Sequence, residues 1–503
     1  MQKVIRPLIF FLTSIQYIRF VFQTIFYKSC YQKNWTKTYK LLKQSTFWQN
    51  KIGTELTDNK VTYYSDYEKI LNESFALKTN LLNNEKILYW SQSSGTTGAK
   101  KSFPITASFK KQFQITTPPL LFNVLRNFKN FLKFPVLYLA DTNPVEMSPA
   151  GIGIGLISNY NYRNIPKLLK QKYVLPEQVL ANVQTFKTYA HLYAVASPMS
   201  GIFAVTPLAI ETLIKRTLKD WPNVISQLQD EKFWQQNSNL PMPTISAQRL
   251  AFLKNLKPKT LKDIWPELDF ICCWKTSVCF YQWQNIKEEV GNIVNIDATY
   301  SASEGWFNVP FANPNKNGGV IHPNAVLLEF LPEQHDPNHI EKQLLKPWEI
   351  EAGKKYIIHL TNVMGLVRYN LHDVVLCSGK FFNAPIVEFL YKSSSQISLG
   401  LFTIGENELL EALNIQKITT SNLIFAPDEI GKNICIYSSN SQVDWENAVT
   451  KIDQYLVTIN DSYRVYKLKN DIKVKYKIVA EDLIPKPLHN QTKPKFLYQN
   501  IPF

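Results

Sequence analysis

SQSSGTTGAKKSFPIT, residues 91–106, places two glycines, a pair of consecutive threonines and two lysines in one short stretch. A loop of Ser, Thr and Gly can turn its backbone N–H groups toward an anion, while hydroxyls add donors and lysine adds charge. The Walker pattern, Gly-x4-Gly-Lys-[Ser/Thr], fails here on spacing. Counted from Gly95, the second glycine belongs at position 100, which is Lys100, and it stands instead at Gly98. The stretch follows KILYW (86–90), a buried-strand pattern, and precedes SFKKQF (108–113), which reads as the opening of a helix. That puts it at the carboxyl end of a strand, where α/β folds bind ligands. Taken alone it is as readily an ordinary solvated turn, so its meaning depends on partners elsewhere in the chain.

The 503 residues allow a large core, most naturally one big domain and one smaller one. Hydrophobic residues at 45% and aromatics at 13% exclude a disordered chain. A net charge of +16 favours acidic partners such as a nucleotide, a nucleic acid or an anionic membrane surface. The lysines are scattered, with no dense basic block and no nucleic-acid module, so a solvated surface focusing an anionic substrate is expected. Cys30, Cys272, Cys273, Cys279, Cys377 and Cys435 form no CxxC pair and no His-Cys ligand spacing. Buried free thiols in a reducing cytoplasm are the expectation.

The N-terminal run PLIFFLTSIQYIRFVFQTIFY (7–27) nearly matches a bilayer in length, but Gln16, Arg19 and Gln23 interrupt it. On a helical wheel these three share one face, opposite Phe11, Ile15, Ile18, Phe22 and Ile25. The pattern predicts an amphipathic helix whose apolar face packs on the core, with attachment to a membrane surface as the second reading. No small-residue cleavage site follows it.

Residues 1 to about 85 read as helices, clearest at WTKTYKLLKQ (35–44), and then loops. From 86 onward short apolar strands alternate with helices, the pattern of a mixed or parallel sheet covered by helices, α/β in class. FPVLYLA (134–140), DFICCW (269–274) and NIVNIDATY (292–300) are the strands, with helical CFYQWQNIKEEV (279–290) between the last two. Prolines crowd 198–266, which predicts irregular connections. After about 390 the texture changes to helix ENELLEALN, strands LIFAPD and ICIYSS, helix WENAVTKIDQYLV and strand-like RVYKLK and IKVKYKI. The expected division is a large domain over 1–390 and a small α+β domain over 391–503.

Two segments join the loop. DATYSASEGWF (297–307) ends an apolar strand, where a carboxylate among small residues can hold Mg2+ on a triphosphate, because hard cations take oxygen ligands. KYIIHLTNVMGLVRYNLHDVVLCSG (355–379) reads as a hairpin, with Asp373 just before apolar VVLC and placed to accept hydrogen bonds from a ribose diol. Each is matched, alone, by a plainer reading as a surface turn.

In this order the three resemble the motifs of adenylate-forming enzymes. More narrowly, the chain resembles the auxin-responsive Gretchen Hagen family of acyl-acid amido synthetases, in its bacterial branch. SSGTT with Lys101 and Pro104 is similar to that family's first nucleotide motif, YSASE (300–304) to its second and YNLHDVV (369–375) to its third. KTLKDIWPELDFICCW and the ending NQTKPKF (490–496) resemble it too, so the likeness runs from about residue 35 to the end. It implies a large adenylate-forming domain with a small mobile C-terminal one. It also implies a two-step reaction: a carboxylic acid is adenylated by ATP with Mg2+, and an amine, usually of an amino acid, takes the acyl group. On this resemblance Ser93, Ser94, Gly95, Thr96, Thr97 and Gly98 cradle the phosphates, with Lys101 adding charge. Tyr300 and Ser303 lie near the nucleotide, Glu304 binds Mg2+ and Asp373 holds the ribose. Lys493 swings in from the C-terminal domain to the developing charge.

The chain departs from the family where the third motif usually reads Tyr-Arg-x-Gly-Asp: Asn370 and His372 replace the arginine and glycine. Where the family carries Gly-Glu-Lys after the hinge, this chain has Gly405, Glu406 and Asn407, and in the closing motif Lys495 competes with Lys493. His191 is a candidate general base whose plainer reading is a core histidine. An acid–thiol ligase using coenzyme A shares the first step and stays open. So does a non-catalytic nucleotide- or acyl-binding relative, which Asn370 and Asn407 motivate. A basic nucleic-acid-binding protein is the remaining alternative.

Overall fold

The computed structural model describes residues 2–54, 56–92, 101–139, 146–165, 167–180, 183–236, 240–399, 402–470, 472–486 and 495–503. The loop residues Ser93, Ser94, Gly95, Thr96, Thr97 and Gly98, and Lys493, lie outside them.

Apolar runs expected as strands form three sheets. Val136–Leu139, Gly201–Ala204, Phe270–Cys272 and Val294–Ile296 pair side by side, all parallel, with helices Val183–Ala196, Pro207–Thr217 and Val278–Val290 among their connections. Fully buried Ile202, Ile271 and Ile296 show why these strands are continuously apolar: both faces are covered. A second, mixed sheet is built around Glu85–Gln92, parallel to Gly153–Gly155 and antiparallel to Ser102–Thr106. The third is a six-stranded antiparallel sheet in which Lys355–Thr361, Tyr369–Phe381 and Ala384–Lys392 are neighbours. The hairpin expected over 355–379 is the first pair of these. Trp90, Phe103 and Ile105 of the second sheet share one core with Leu360, Tyr369 and Val375 of the third. That shared core brings the ends of the glycine-rich loop to the third motif.

After Lys392 the chain forms its own small sheets and helices. Ile404, Leu409, Phe425, Ile436 and Ile452 build a separate cluster that also takes in Val278 from the helix Val278–Val290. The strands at 423–427 and 434–438 and the helices at 406–415 and 445–459 stand where the sequence places them.

Four expectations are corrected. The loop does not lead from a strand into a helix: Ser102–Thr106 is a strand that returns along Glu85–Gln92, with Gln92 opposite Ser102, and only then does helix Ala107–Gln114 begin. RVYKLK is not strand-like but lies within helix Asp461–Lys469, capped by Asn460, whose side chain accepts from the Tyr463 N–H. Its alternating pattern misled because Val465 and Leu468 face solvent. The reading of the crowded prolines is corrected at two positions, Pro207 and Pro222, which sit in the first turns of helices, where a missing N–H does no harm, while Pro198, Pro241, Pro243 and Pro258 lie in irregular connections as expected.

The fourth concerns helix Gln2–Ile25. Its buried face is Ile9, Thr13, Phe20 and Thr24, with Tyr17 stacked on Phe122 at 4.5 Å and Phe20 on His322 at 5.1 Å. Phe11, Ile15, Ile18 and Phe22, expected to pack inward, point out. Aromatic partners on the body select the Tyr17–Phe20 side. The cysteines behave as expected: all six are free, and only Cys30 is partly exposed.

Candidate active site

Three distant stretches meet beside the opening of the glycine-rich loop. Ser301–Ala302 and Gly305–Trp306 form a minimal antiparallel hairpin with Ala302 opposite Gly305, so Ser303 and Glu304 are its two-residue turn. Turn carboxylates normally face water. Glu304 is only 7% exposed, and the plain surface-turn reading of this segment does not hold. Asn362 fixes the turn, donating from Nδ2 to the Glu304 carbonyl at 2.9 Å while its Oδ1 accepts from the Gly365 and Leu366 N–H groups. Burial pushes the Glu304 carboxyl up, against the nearby positive charges of Lys392 and Lys101. No cluster of three or more His, Cys, Asp or Glu side chains suited to a metal occurs among the described residues. Mg2+ commonly keeps several waters and takes one or two carboxylates plus substrate phosphates, so a lone buried Glu304 fits that mode.

Asp373 is not in a turn. It lies within strand Tyr369–Phe381, 4% exposed, directly across from Lys392 on strand Ala384–Lys392. The Lys392 ammonium donates to Asp373 Oδ1 at 2.5 Å, and the Tyr300 hydroxyl donates to Oδ2 at 2.6 Å. Burial acts to lower the Lys392 pKa, but Asp373 and Glu304 outweigh it and hold the ammonium above its ordinary value. The phenol of Tyr300 is pushed far up by burial and by Asp373. An ionised carboxylate offers about four lone-pair positions, so Asp373 still has capacity for a diol. Tyr300 itself is fixed through its N–H to Asn308 Oδ1 at 2.8 Å and packs its ring against Phe307 and Phe389.

Lys392 is the site residue that motif reading missed. A lone lysine at a strand end carries no signature, yet Asp373 and Lys392 are equally spaced about the Phe382–Asn383 turn, and that symmetry is visible in the sequence. Lys101 stands at the start of the returning strand with its ammonium 5.2 Å from the Tyr64 ring centre. Its charge, with that of Lys392, also acts on His372, whose pKa is lowered chiefly by burial.

The two departures in the third motif are coupled. His372 has φ +60°, a left-handed backbone that suits glycine, and its N–H donates to Asn370 Oδ1 at 2.8 Å. Asn370 thereby supports the conformation that His372 must adopt. Asp297, three residues before the second motif, accepts from the backbone N–H of Gly318 at 2.6 Å and of Lys275 at 3.1 Å. Burial pushes its carboxyl up to about 6 against these bonds, and its contacts are those of a loop clamp. Gly318 is required there: φ is +64°, and a Cβ would stand 2.2 Å from the Val387 carbonyl oxygen.

His191 lies elsewhere, buried on helix Val183–Ala196 with Arg216 and Asp220 as charged neighbours, and burial holds its pKa down at about 4. In the C-terminal part Glu406 accepts from the N–H groups of Phe496 and Leu497, which ties the segment of Lys495 to the start of helix Glu406–Ile415. Lys495 places its ammonium 4.8 Å from the Tyr498 ring centre.

Known proteins share this fold. The family model of the GH3 N-terminal domain matches residues 59–289, and that of the GH3 central domain matches residues 319–392. The chain is 25% identical over 191 residues to indole-3-acetic acid-amido synthetase GH3.2 of Arabidopsis thaliana, covering 36% of this chain and 34% of that one. It is 24% identical over 368 residues to jasmonoyl–L-amino acid synthetase JAR6 of Nicotiana attenuata, covering 65% and 61%. The matched stretches thus span less than two thirds of these curated relatives. Among solved structures, AtGH3.15 acyl acid amido synthetase in complex with 2,4-DB superposes with a TM-score of 0.79 at 15% identity, covering 97% of this chain and 94% of that one. A 2-hydroxyisobutyryl-CoA ligase in its postadenylation state gives a TM-score of 0.53 at 9% identity, covering 94% and 89%. At these identities the likeness is one of fold.

Proposed function

The chain belongs to the GH3 family, and from that membership we propose that it is an ATP-dependent acid–amine ligase. In its first step a carboxylate oxygen of a small organic acid attacks the α-phosphorus of ATP, the bond to the β-phosphate breaks, and pyrophosphate leaves. In the second, the nitrogen of an amine attacks the acyl carbonyl, gives up a proton, and AMP departs with its bonding pair. The amine we assign is that of an amino acid, as in the names of the relatives.

One observation carries this reading: the buried carboxylates Glu304 and Asp373 and the partly exposed ammonium groups of Lys101 and Lys392, from four separate stretches, interact in one group of alternating charge. Phosphoryl chemistry is advanced by positioning and charge neutralisation, and this group supplies both. In the proposal Asp373 accepts from the ribose hydroxyls while Lys392 and Tyr300 hold its carboxylate still. Tyr300 and Ser303 flank the nucleotide, and Glu304 is the carboxylate toward Mg2+, which when bound would neutralise phosphate charge. Lys101 and the loop from Ser93 to Gly98 cradle the phosphates, and the C-terminal part over 391–503 delivers Lys493. All six cysteines are free, and we place the chain in the cytoplasm.

The test is exchange of labelled pyrophosphate into ATP, screened over small carboxylic acids. Acid-dependent exchange followed by amide formation with amino acids is expected. Turnover with coenzyme A in place of amino acids would assign the thiol-ligase alternative, and nucleotide binding without exchange would assign a non-catalytic relative.

A further inference from the structure

We propose that helix Gln2–Ile25 is an in-plane anchor by which the protein docks on an anionic membrane surface. Leu8, Phe11, Leu12, Ile15, Ile18, Phe22 and Phe26 are all exposed, Phe11 at 60% and Phe22 at 59%. At 100° per residue these positions fall on one stripe, roughly 27 Å long at 1.5 Å per residue. The opposite face is committed to the body through Ile9, Tyr17 and Phe20. At the helix end, Asn383 donates from its backbone N–H to the Thr24 carbonyl at 3.1 Å and from Nδ2 to the Ile25 carbonyl at 2.5 Å.

By length and composition Arg6–Ile25 could cross a bilayer. Crossing would strip the helix from Phe122, His322 and Asn383, whereas lying flat keeps those contacts and covers the stripe. A soluble monomer rarely leaves so continuous an apolar face bare.

Charge selects the occupant. No Asp or Glu precedes Glu55, whereas nine Lys or Arg do. Arg19, Lys28, Lys33, Lys37, Lys40 and Lys43 of the first two helices are all exposed. A second copy meeting this face across a twofold axis would set the same basic segment against itself. An anionic lipid surface complements it, with the long basic side chains reaching the headgroups. Where the stripe ends, a cleft of about 330 Å³ opens between Phe26, Trp348 and Asn383, with Lys28 and Lys380 on its walls. Lys28 lies 5.3 Å from the Trp348 ring centre and Lys380 donates to the Trp348 carbonyl at 3.2 Å, an aromatic and cationic pairing suited to a lipid phosphate. Phe382, next to the anchoring Asn383, is 57% exposed and adds a second apolar element from the body.

The experiment is flotation of the full chain with vesicles of phosphatidylcholine alone and of an equimolar mixture with phosphatidylglycerol, alongside solution mass by light scattering. Expected are a monomer, binding to the anionic vesicles that weakens with salt, and release by alkaline carbonate. Ile15→Glu with Phe22→Glu should lower the bound fraction at least about tenfold, and Lys28→Glu with Lys380→Glu should reduce the preference for anionic lipid. Both pairs are on the surface, so an unchanged urea unfolding midpoint will show that the fold persists. Four results would each overturn the proposal. They are binding to neither vesicle, equal binding to both, resistance to carbonate, and a dimer that Ile15→Glu with Phe22→Glu converts to monomer.

Discussion

Replacing Asp373 by alanine removes the acceptor shared by Tyr300 and Lys392. The Tyr300 hydroxyl is buried, so losing its bond at 2.6 Å leaves a donor with no water to replace the carboxylate. Hydrogen bonds to charged groups contribute about 1.5–3 kcal/mol. The Lys392 side chain is 37% exposed, so solvent recovers part of its loss and its share is nearer about 1 kcal/mol. The variant should therefore be destabilised by about 2–4 kcal/mol without any ligand. Lys392→Met alone strands the carboxylate in a buried site and should lower stability by about 1–2 kcal/mol. In the double variant the two losses overlap, because the pair is removed whole, and the sum should fall short of additivity by about 1 kcal/mol. Urea unfolding of the four proteins measures the cycle, and calorimetry with ATP measures the second consequence. Loss of the ribose contacts should weaken ATP binding at least about tenfold, one such bond being worth about 1.4 kcal/mol or more. Additivity in urea would show that Asp373 and Lys392 do not stabilise each other. Unchanged ATP affinity would show that Asp373 is a sheet residue and nothing more.

Glu304→Gln should leave the hairpin folded, since the anchoring bond from Asn362 goes to its carbonyl, yet lower pyrophosphate exchange roughly a hundredfold; wild-type exchange would remove Glu304 from the metal role. Lys493→Ala should be slow in exchange, keep its ATP affinity and still form amide from a supplied acyl-adenylate, while Lys101→Ala should lose binding as well as rate. Should Lys495→Ala show the Lys493 profile, the closing motif is offset by two residues, and if neither variant does, no lysine is delivered from the C-terminal part. His322, buried against Phe20 and held at about 3 by burial, stays neutral in the fold but takes a proton when unfolded near its ordinary value of 6.5. Its stabilising contribution is therefore complete above that pH and is lost as pH falls toward 3. His322→Gln should flatten the dependence of unfolding free energy on pH by up to about 1.4 kcal/mol per unit between pH ~6 and ~4, and parallel wild-type and variant curves would refute it.

Much of the sheet architecture was legible because buried parallel strands are unmistakably apolar, as at Phe270–Cys272 and Val294–Ile296. Strand Ser102–Thr106 was not, because Pro104 argues against a central strand; among the described residues it pairs only with Glu85–Gln92, and an edge tolerates the missing N–H. Glu304 and Asp373 could be named from order and spacing, but whether they were solvated turns or buried charges depended on Asn362 and Lys392, which belong to no motif. The wheel of the N-terminal helix identified an apolar stripe and assigned it inward. Tyr17 and Phe20, which decide the packing, find Phe122 and His322 more than a hundred residues away, and no local pattern announces such partners.

The bond between Asn370 and His372 constrains the order in which this strand can change. Restoring arginine at 370 first would leave a non-glycine residue in a left-handed backbone without its side-chain acceptor, a strained state of about 1–3 kcal/mol. Restoring glycine at 372 first relieves the strain and makes Asn370 dispensable, so the second exchange follows freely. The two positions are epistatic with a preferred direction, and a library that varies them singly will score Asn370 as intolerant when the constraint belongs to its neighbour. Randomising both together, with Asp373 fixed, is the design that separates what the backbone demands from what the nucleotide does.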